Sequence, residues 1–145
     1  MIYKTLTGEQ INDVIRYWRN KLALRDWEIS WTMHNDSDMN DCYAQVGHSL
    51  PYMTAHIRIS DPSTWSANAD DTDMEESILH EMVHVRTAEI CDKLKGTLTR
   101  EEELVFLERP TDVLARTLVE LRRMSDLFDW EELPEEKKKK KKKKS

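Results

Sequence analysis

Ile78-Leu79-His80-Glu81-Met82-Val83-His84-Val85 places two histidines four positions apart inside an apolar run, with a glutamate next to the first. Nothing nearby forbids a helix. Successive helical residues turn by about 100°, so His80 and His84 fall one turn apart on the same face, where two imidazoles can grip one metal ion. Glu81 projects beside them and can reach a water on that metal without being a ligand itself. The competing reading is a surface helix with two solvent-facing histidines. The helical wheel speaks against it: Leu79, Val83, Ile90 and Leu94 form an apolar stripe bordered by both histidines, while Glu81, Glu89, Asp92 and Lys93 lie towards the other side. The histidines are therefore expected at the edge of a core that can hold them rigidly.

Outward from this stretch, Thr72-x-x-Glu75 reads as the capping box that opens the helix and Gly96 as the glycine that ends it. Upstream, Thr7-Gly8-Glu9-Gln10 caps a first helix carrying Ile11, Val14, Ile15, Trp18 and Leu22 at helical spacing. Trp27, Ile29, Trp31 and Met33 then alternate with polar residues, the period of a half-buried strand. A second strand is expected around Tyr43-Ala44-Gln45-Val46, ended by Gly47. A third carries Ala55, Ile57 and Ile59 and stops at Asp61-Pro62. Between the first two, Asp36, Asp38 and Asn40 imitate the start of a calcium loop. Asp41 stands where its glycine belongs and Gly47 where its final glutamate belongs, so the segment reads as a solvated turn. Downstream, Thr99-x-x-Glu102 caps a segment interrupted near Pro110, and a last helix runs through Val113, Leu114, Leu118 and Leu121 to about Phe128. Helix, three strands, then helices, without repeats, describe an α+β domain with a small sheet packed on helices.

A catalytic zinc takes three protein ligands and leaves one position open. Cys91 shares the histidine face but lies seven residues beyond His84, about 10 Å along the axis, against a Zn–S bond of about 2.3 Å. It reads as a small core residue. Glu108, followed one turn later by Asp112, is the better candidate. Both fall in the helical sector of Ala115 and Val119, where a carboxylate is costly unless paired or metal-bound. Zinc would compensate Glu108, and a hydrogen bond from His80 would compensate Asp112. Glu101, Glu102 and Glu103 are rivals, but acids in a first helical turn need no such explanation. Two imidazoles and a carboxylate suit Zn²⁺ well among divalent ions.

The whole chain has 145 residues, 39% of them hydrophobic, and a net charge of −6. That is one domain, expected over residues 1–133, with a lysine-rich, disordered tail over 134–145. Of 22 Lys and Arg, eight form the run 137–144; the remaining 14 face 28 Asp and Glu, a body charge of −14. So acidic a body argues against general nucleic-acid binding by the folded part, though the tail is suited to nucleic acid or an acidic partner. No apolar run approaches a membrane span, and the first residues lack a secretory pattern, so the cytoplasm is the expected compartment. Cys42 and Cys91 then read as reduced thiols.

His80-Glu81-x-x-His84 followed by Glu108-x-x-x-Asp112 resembles the gluzincin class of zinc metallopeptidases, particularly its minimal single-domain members and similar small proteins of phage and bacterial genomes. The resemblance implies hydrolysis of a peptide bond, with His80, His84 and Glu108 holding Zn²⁺, Asp112 orienting His80, and Glu81 as the general base. It also implies an edge strand above the cleft that binds substrate in extended form. The strand from Met53 to Ser60, just before the histidine helix, is expected in that place. Larger relatives add a donor for the oxyanion; His34, His56, Tyr43 and Arg116 are the candidates. Two alternatives stand beside this reading. One is a zinc-containing binding or regulatory module with little chemistry, for which Glu81 would have no use. The other is a DNA-associated protease resembling SprT proteins, which usually carry extra zinc-binding cysteines that this chain lacks.

Overall fold

The computed structural model describes residues 5–66, 72–94 and 96–124. The lysine run, the boundary at residue 133 and the end of the last helix beyond 124 lie outside the described residues. Helix α1 (Gly8–Lys21) begins at the Thr7 capping box and buries Ile11, Val14, Ile15 and Trp18. Strands β1 (Glu28–His34), β2 (Ala44–Ser49) and β3 (Thr54–Ser60) make one mixed sheet in the order β1-β3-β2. β3 runs parallel to β1 and antiparallel to β2. Helices α2 (Met74–Arg86) and α3 (Ala88–Leu94) come next. Helix α4 (Arg100–Glu103) then passes through a π-helical turn, Leu104–Glu108, into α5 (Arg109–Met124). The chain is an α+β domain.

Pleating gives β3 one buried face, Ala55, Ile57 and Ile59, and one polar face. The buried face meets α2, whose Ile78, Leu79, Met82, Val83 and Val85 are at most 2% exposed. More than half of α2 is buried because sheet, α1 and α5 pack around it. At its start, Asp73 rather than Thr72 is the N-cap, accepting from the Glu76 amide. That register sends Glu75 inward, 2% exposed. There it accepts from Trp18 Nε1 at 3.1 Å, from Arg122 through a bidentate pair, and from Arg123. Arg123 also pairs with Asp73 at 2.6 Å. One buried carboxylate thus joins α1, α2 and α5.

Further expectations are corrected. The strand from Met53 to Ser60 is not an edge strand: β3 is paired on both sides, and β1 and β2 are the edges. Gly47 does not end β2, which continues to Ser49; at an outward position of an edge strand a missing side chain costs little packing. The histidine helix does not reach Gly96 unbroken. It is interrupted at Thr87, the C-cap of α2, whose hydroxyl donates to the Val83 carbonyl, and α3 begins at Ala88. Ile90 is 65% exposed and Leu94 is exposed too, so neither extends the Leu79–Val83 stripe. Gly96 does hold the left-handed φ of +86° expected of a helix-ending glycine. Cys91, finally, is half-buried in a cleft wall rather than a core residue.

Candidate metal centre

α2 carries His80 and His84 on the face towards the π turn and α5. Their Nε2 atoms lie 2.9 Å apart. Glu108 Oε2 stands 3.1 Å from the first and 3.3 Å from the second. One donor atom from each side chain therefore faces a common point, close enough to hold a metal ion.

The hydrogen-bonding state of His80 sharpens that fit. Its Nδ1 lies 2.7 Å from Asp112 Oδ1. A carboxylate only accepts, so Nδ1 carries a proton; with a cation bound, the Nε2 proton would be displaced and the neutral ring would present its lone pair there. Nε2 faces a second imidazole nitrogen and a carboxylate oxygen, an assembly that could hold a cation. For tetrahedral zinc with bonds of about 2.0–2.1 Å, ligand atoms sit roughly 3.3 Å apart, near the observed spacing. The crowding of negative charge also shows in the pKa values. Burial disfavours the His80 imidazolium, but its bond to Glu108 and the charges of Glu81, Asp112 and Glu108 outweigh this and raise its pKa. Hydrogen bonds from His80 and His84 hold Glu108 well below the carboxylate range against the opposing effect of burial.

The π turn positions Glu108. Pro110 has no N–H to offer the Phe106 carbonyl, and the helix before it widens so that the Arg109 amide donates to Leu104, five residues back. Glu108 and Asp112 lie one turn apart on the face turned to His80. Neither sits in the core, as their helical sector suggested: their side chains are 44% and 60% exposed, along a cleft wall.

Glu81 lies beside the cluster, Oε1 3.9 Å from His80 Nε2, with its side chain 13% exposed. Burial pushes its carboxyl up to about 7, partly offset by the nearby histidines and the backbone amide of Val46. A cation among the three ligands would pull this value down again. The contact with Val46 also locates the sheet edge. The Ser60 amide donates to the Tyr43 carbonyl. By the alternation of an antiparallel ladder, residues 43, 45 and 47 bond inward, and Ala44, Val46 and His48 turn their backbone groups to the free edge.

The cleft between that edge, α2 and the π turn has a volume of about 840 Å³. Of the four possible oxyanion donors only Tyr43 lines it, its ring edge-on to Trp65 at 4.9 Å. His34 and His56 sit on the outer sheet face and share the Thr32 hydroxyl at 2.8 Å each. Arg116 is turned to Glu76 at 3.4 Å. Two residues of the site region were not anticipated. His48 lines the cleft, its Nε2 3.1 Å from Asp92. Arg100 of α4 also lines it. His48 lies on an irregularly patterned strand in a segment with no metal-ligand spacing, so only the sheet register could reveal it.

No protein-family model matches the chain, and no curated protein matches it in sequence. The functional reading rests on the geometry. Among the described residues no helix is long and apolar enough to cross a membrane.

Proposed function

We propose that the protein is a zinc-dependent peptidase, hydrolysing a peptide bond in the cleft between β2 and α2. The observation that carries the reading is the convergence of His80, His84 and Glu108 in an open cleft with a buried carboxylate, Glu81, beside them. A structural zinc site closes its fourth position with another side chain and has no use for such a carboxylate. When bound, zinc would polarise the scissile carbonyl and lower the pKa of the attacking water.

The chain's own residues would do the rest. Asp112 holds His80 in the tautomer that leaves Nε2 free. The Val46 amide donates to Glu81 and fixes its carboxylate at the cleft wall. Glu81 then accepts the proton of the water as it attacks and returns it to the departing amine. The free edge of β2, in place of the strand at Met53 to Ser60, would pair with an extended substrate, and Tyr43 is the remaining candidate to donate to the oxyanion.

The test is cleavage of a mixed peptide library by the zinc-loaded protein, with products identified by mass spectrometry. Wild type should cleave, and Glu81→Gln should lose at least about 100-fold in rate while keeping its metal, the scale of a missing general base. Wild-type activity no greater than that of Glu81→Gln would point instead to a zinc-containing binding or regulatory module.

A further inference from the structure

The helix that supplies Asp112 has two apolar faces, and only one of them is covered among the described residues. Inward, α5 buries Thr111, Ala115 and Val119 and packs on α2. On the side turned away, Pro110, Val113, Leu114, Thr117, Leu121 and Met124 recur at spacings of three and four. At 100° per residue they share one sector about 100° wide, which holds no charged side chain. All six are exposed, the aliphatic ones from 44% at Leu114 to 78% at Met124. The Thr117 hydroxyl donates to the Val113 carbonyl at 2.7 Å, so nothing in the sector depends on water. Phe106, exposed in the π turn, lengthens the row by a turn. So long an apolar row marks a contact surface rather than scattered exposure.

Charge says what the row fits. One flank of it carries Arg109, Arg116 and Glu120. Arg116 is held by Glu76 at 3.4 Å, whereas Arg109 and Glu120 make no ion pair among the described residues. The midpoint between Arg109 and Glu120 falls at residues 114 and 115, and that between Phe106 and Met124 at 115, so charges and row share a centre. When two helices pack antiparallel about a two-fold axis, each flank faces its own copy and residues pair across that centre. Arg109 of each copy then meets Glu120 of the other. Phe106 meets Met124, Pro110 meets Leu121, and Val113 meets Thr117. A parallel pair would set the charged flank against Leu114 and Leu118 and leave Arg109 and Glu120 unmatched.

We infer that the row is a docking surface for a second copy of this chain, packed antiparallel through α5 with two Arg109–Glu120 pairs at its rim. Asp112 points roughly 150° around the helix from the row, so this pairing does not cover the metal centre, and the inference stands apart from the peptidase reading. One helix face offers on the order of 500 Å² per copy, against about 800 Å² per partner in a standard interface, so the dimer is weak, half-formed at about 10 μM.

The experiment is sedimentation equilibrium of the full chain from about 1 to 200 μM in 0.15 M salt, which screens the repulsion between two acidic bodies. Wild type should pass from one chain to two and stop there. Val113→Lys and Leu121→Lys place a charge in the row at exposed positions, and each should weaken association about tenfold or more. Glu120→Arg sets like charges together at both rim positions and should weaken it about fivefold, as should Arg109→Glu. The two together reverse each pair and should restore wild-type association. Circular dichroism shows each variant folded. A chain monomeric throughout overturns the inference and leaves the row to another partner or to a segment of the chain itself. So does a dimer indifferent to Leu121→Lys, association that runs on past two chains, or a double variant no stronger than the single ones.

Discussion

Asp112 touches no metal ligand atom that faces the centre, yet it decides what His80 can do there. Its oxygen, 2.7 Å from Nδ1, accepts the Nδ1 proton, so that with a cation bound the ring would turn its Nε2 lone pair to the centre. Asp112→Asn keeps the shape but can offer its N–H₂ instead and release the ring. Zinc affinity, measured by chelator competition, should fall about 10–100-fold with little change in folding. An unchanged affinity would mean that His80 is oriented by packing alone. Within each pair, His80 with His84 and Glu108 with Asp112, the relation is local, one helical turn, and so legible; that the two pairs meet, 24 and 28 positions apart, came from the resemblance, since the apolar sector that singled out the acids does not bury them. Glu75 was not legible. In sequence it is the last residue of a plausible capping box. Only the tertiary arrangement sets it opposite Arg122, Arg123 and Trp18, and no periodicity encodes a partner 47 positions away.

The elements around α2 hold the site through that buried carboxylate. Removing one side of a buried, hydrogen-bonded ion pair strands the other, so Glu75→Ala should destabilise the fold by about 3–5 kcal/mol, read from the urea midpoint. Leu79→Ala, at a fully buried position, should cost about 2–5 kcal/mol by the cavity it leaves. Both variants should unfold earlier while binding zinc normally when folded. Helices and strands were readable from the 3.6- and 2-residue periods, and the fold class came from their order. Strand order was not. β3 is the most regular strand and precedes the histidine helix, which suited it to an edge place. But its inward side chains are all apolar and its neighbours pair on both sides, so the centre is where it buries most. The π turn was visible only as an interruption at Pro110. A proline tells that a hydrogen bond is missing, not that the helix widens upstream to accommodate it.

At the scale of the molecule, a metal at this centre would add a further tie between α2 and the helix running from α4 to α5, beyond their packing, the Arg116–Glu76 and His80–Asp112 pairs and the Glu75 cluster. Binding only the folded state, zinc at 100 times its dissociation constant adds about 2.7 kcal/mol of stability. The thermal midpoint should therefore rise by several degrees on adding zinc and fall on chelation, with no such response in Glu108→Ala. The measurement that tests the central claim most directly is the zinc content of the purified full-length protein, wild type beside Glu81→Gln and Glu108→Ala, by plasma mass spectrometry after equilibration with zinc and desalting. An open three-ligand centre predicts one zinc per chain in wild type and Glu81→Gln, and the loss of most of it in Glu108→Ala. Wild type without zinc would contradict the metal centre and the peptidase reading with it, and retention of full zinc by Glu108→Ala would show that the third ligand lies elsewhere.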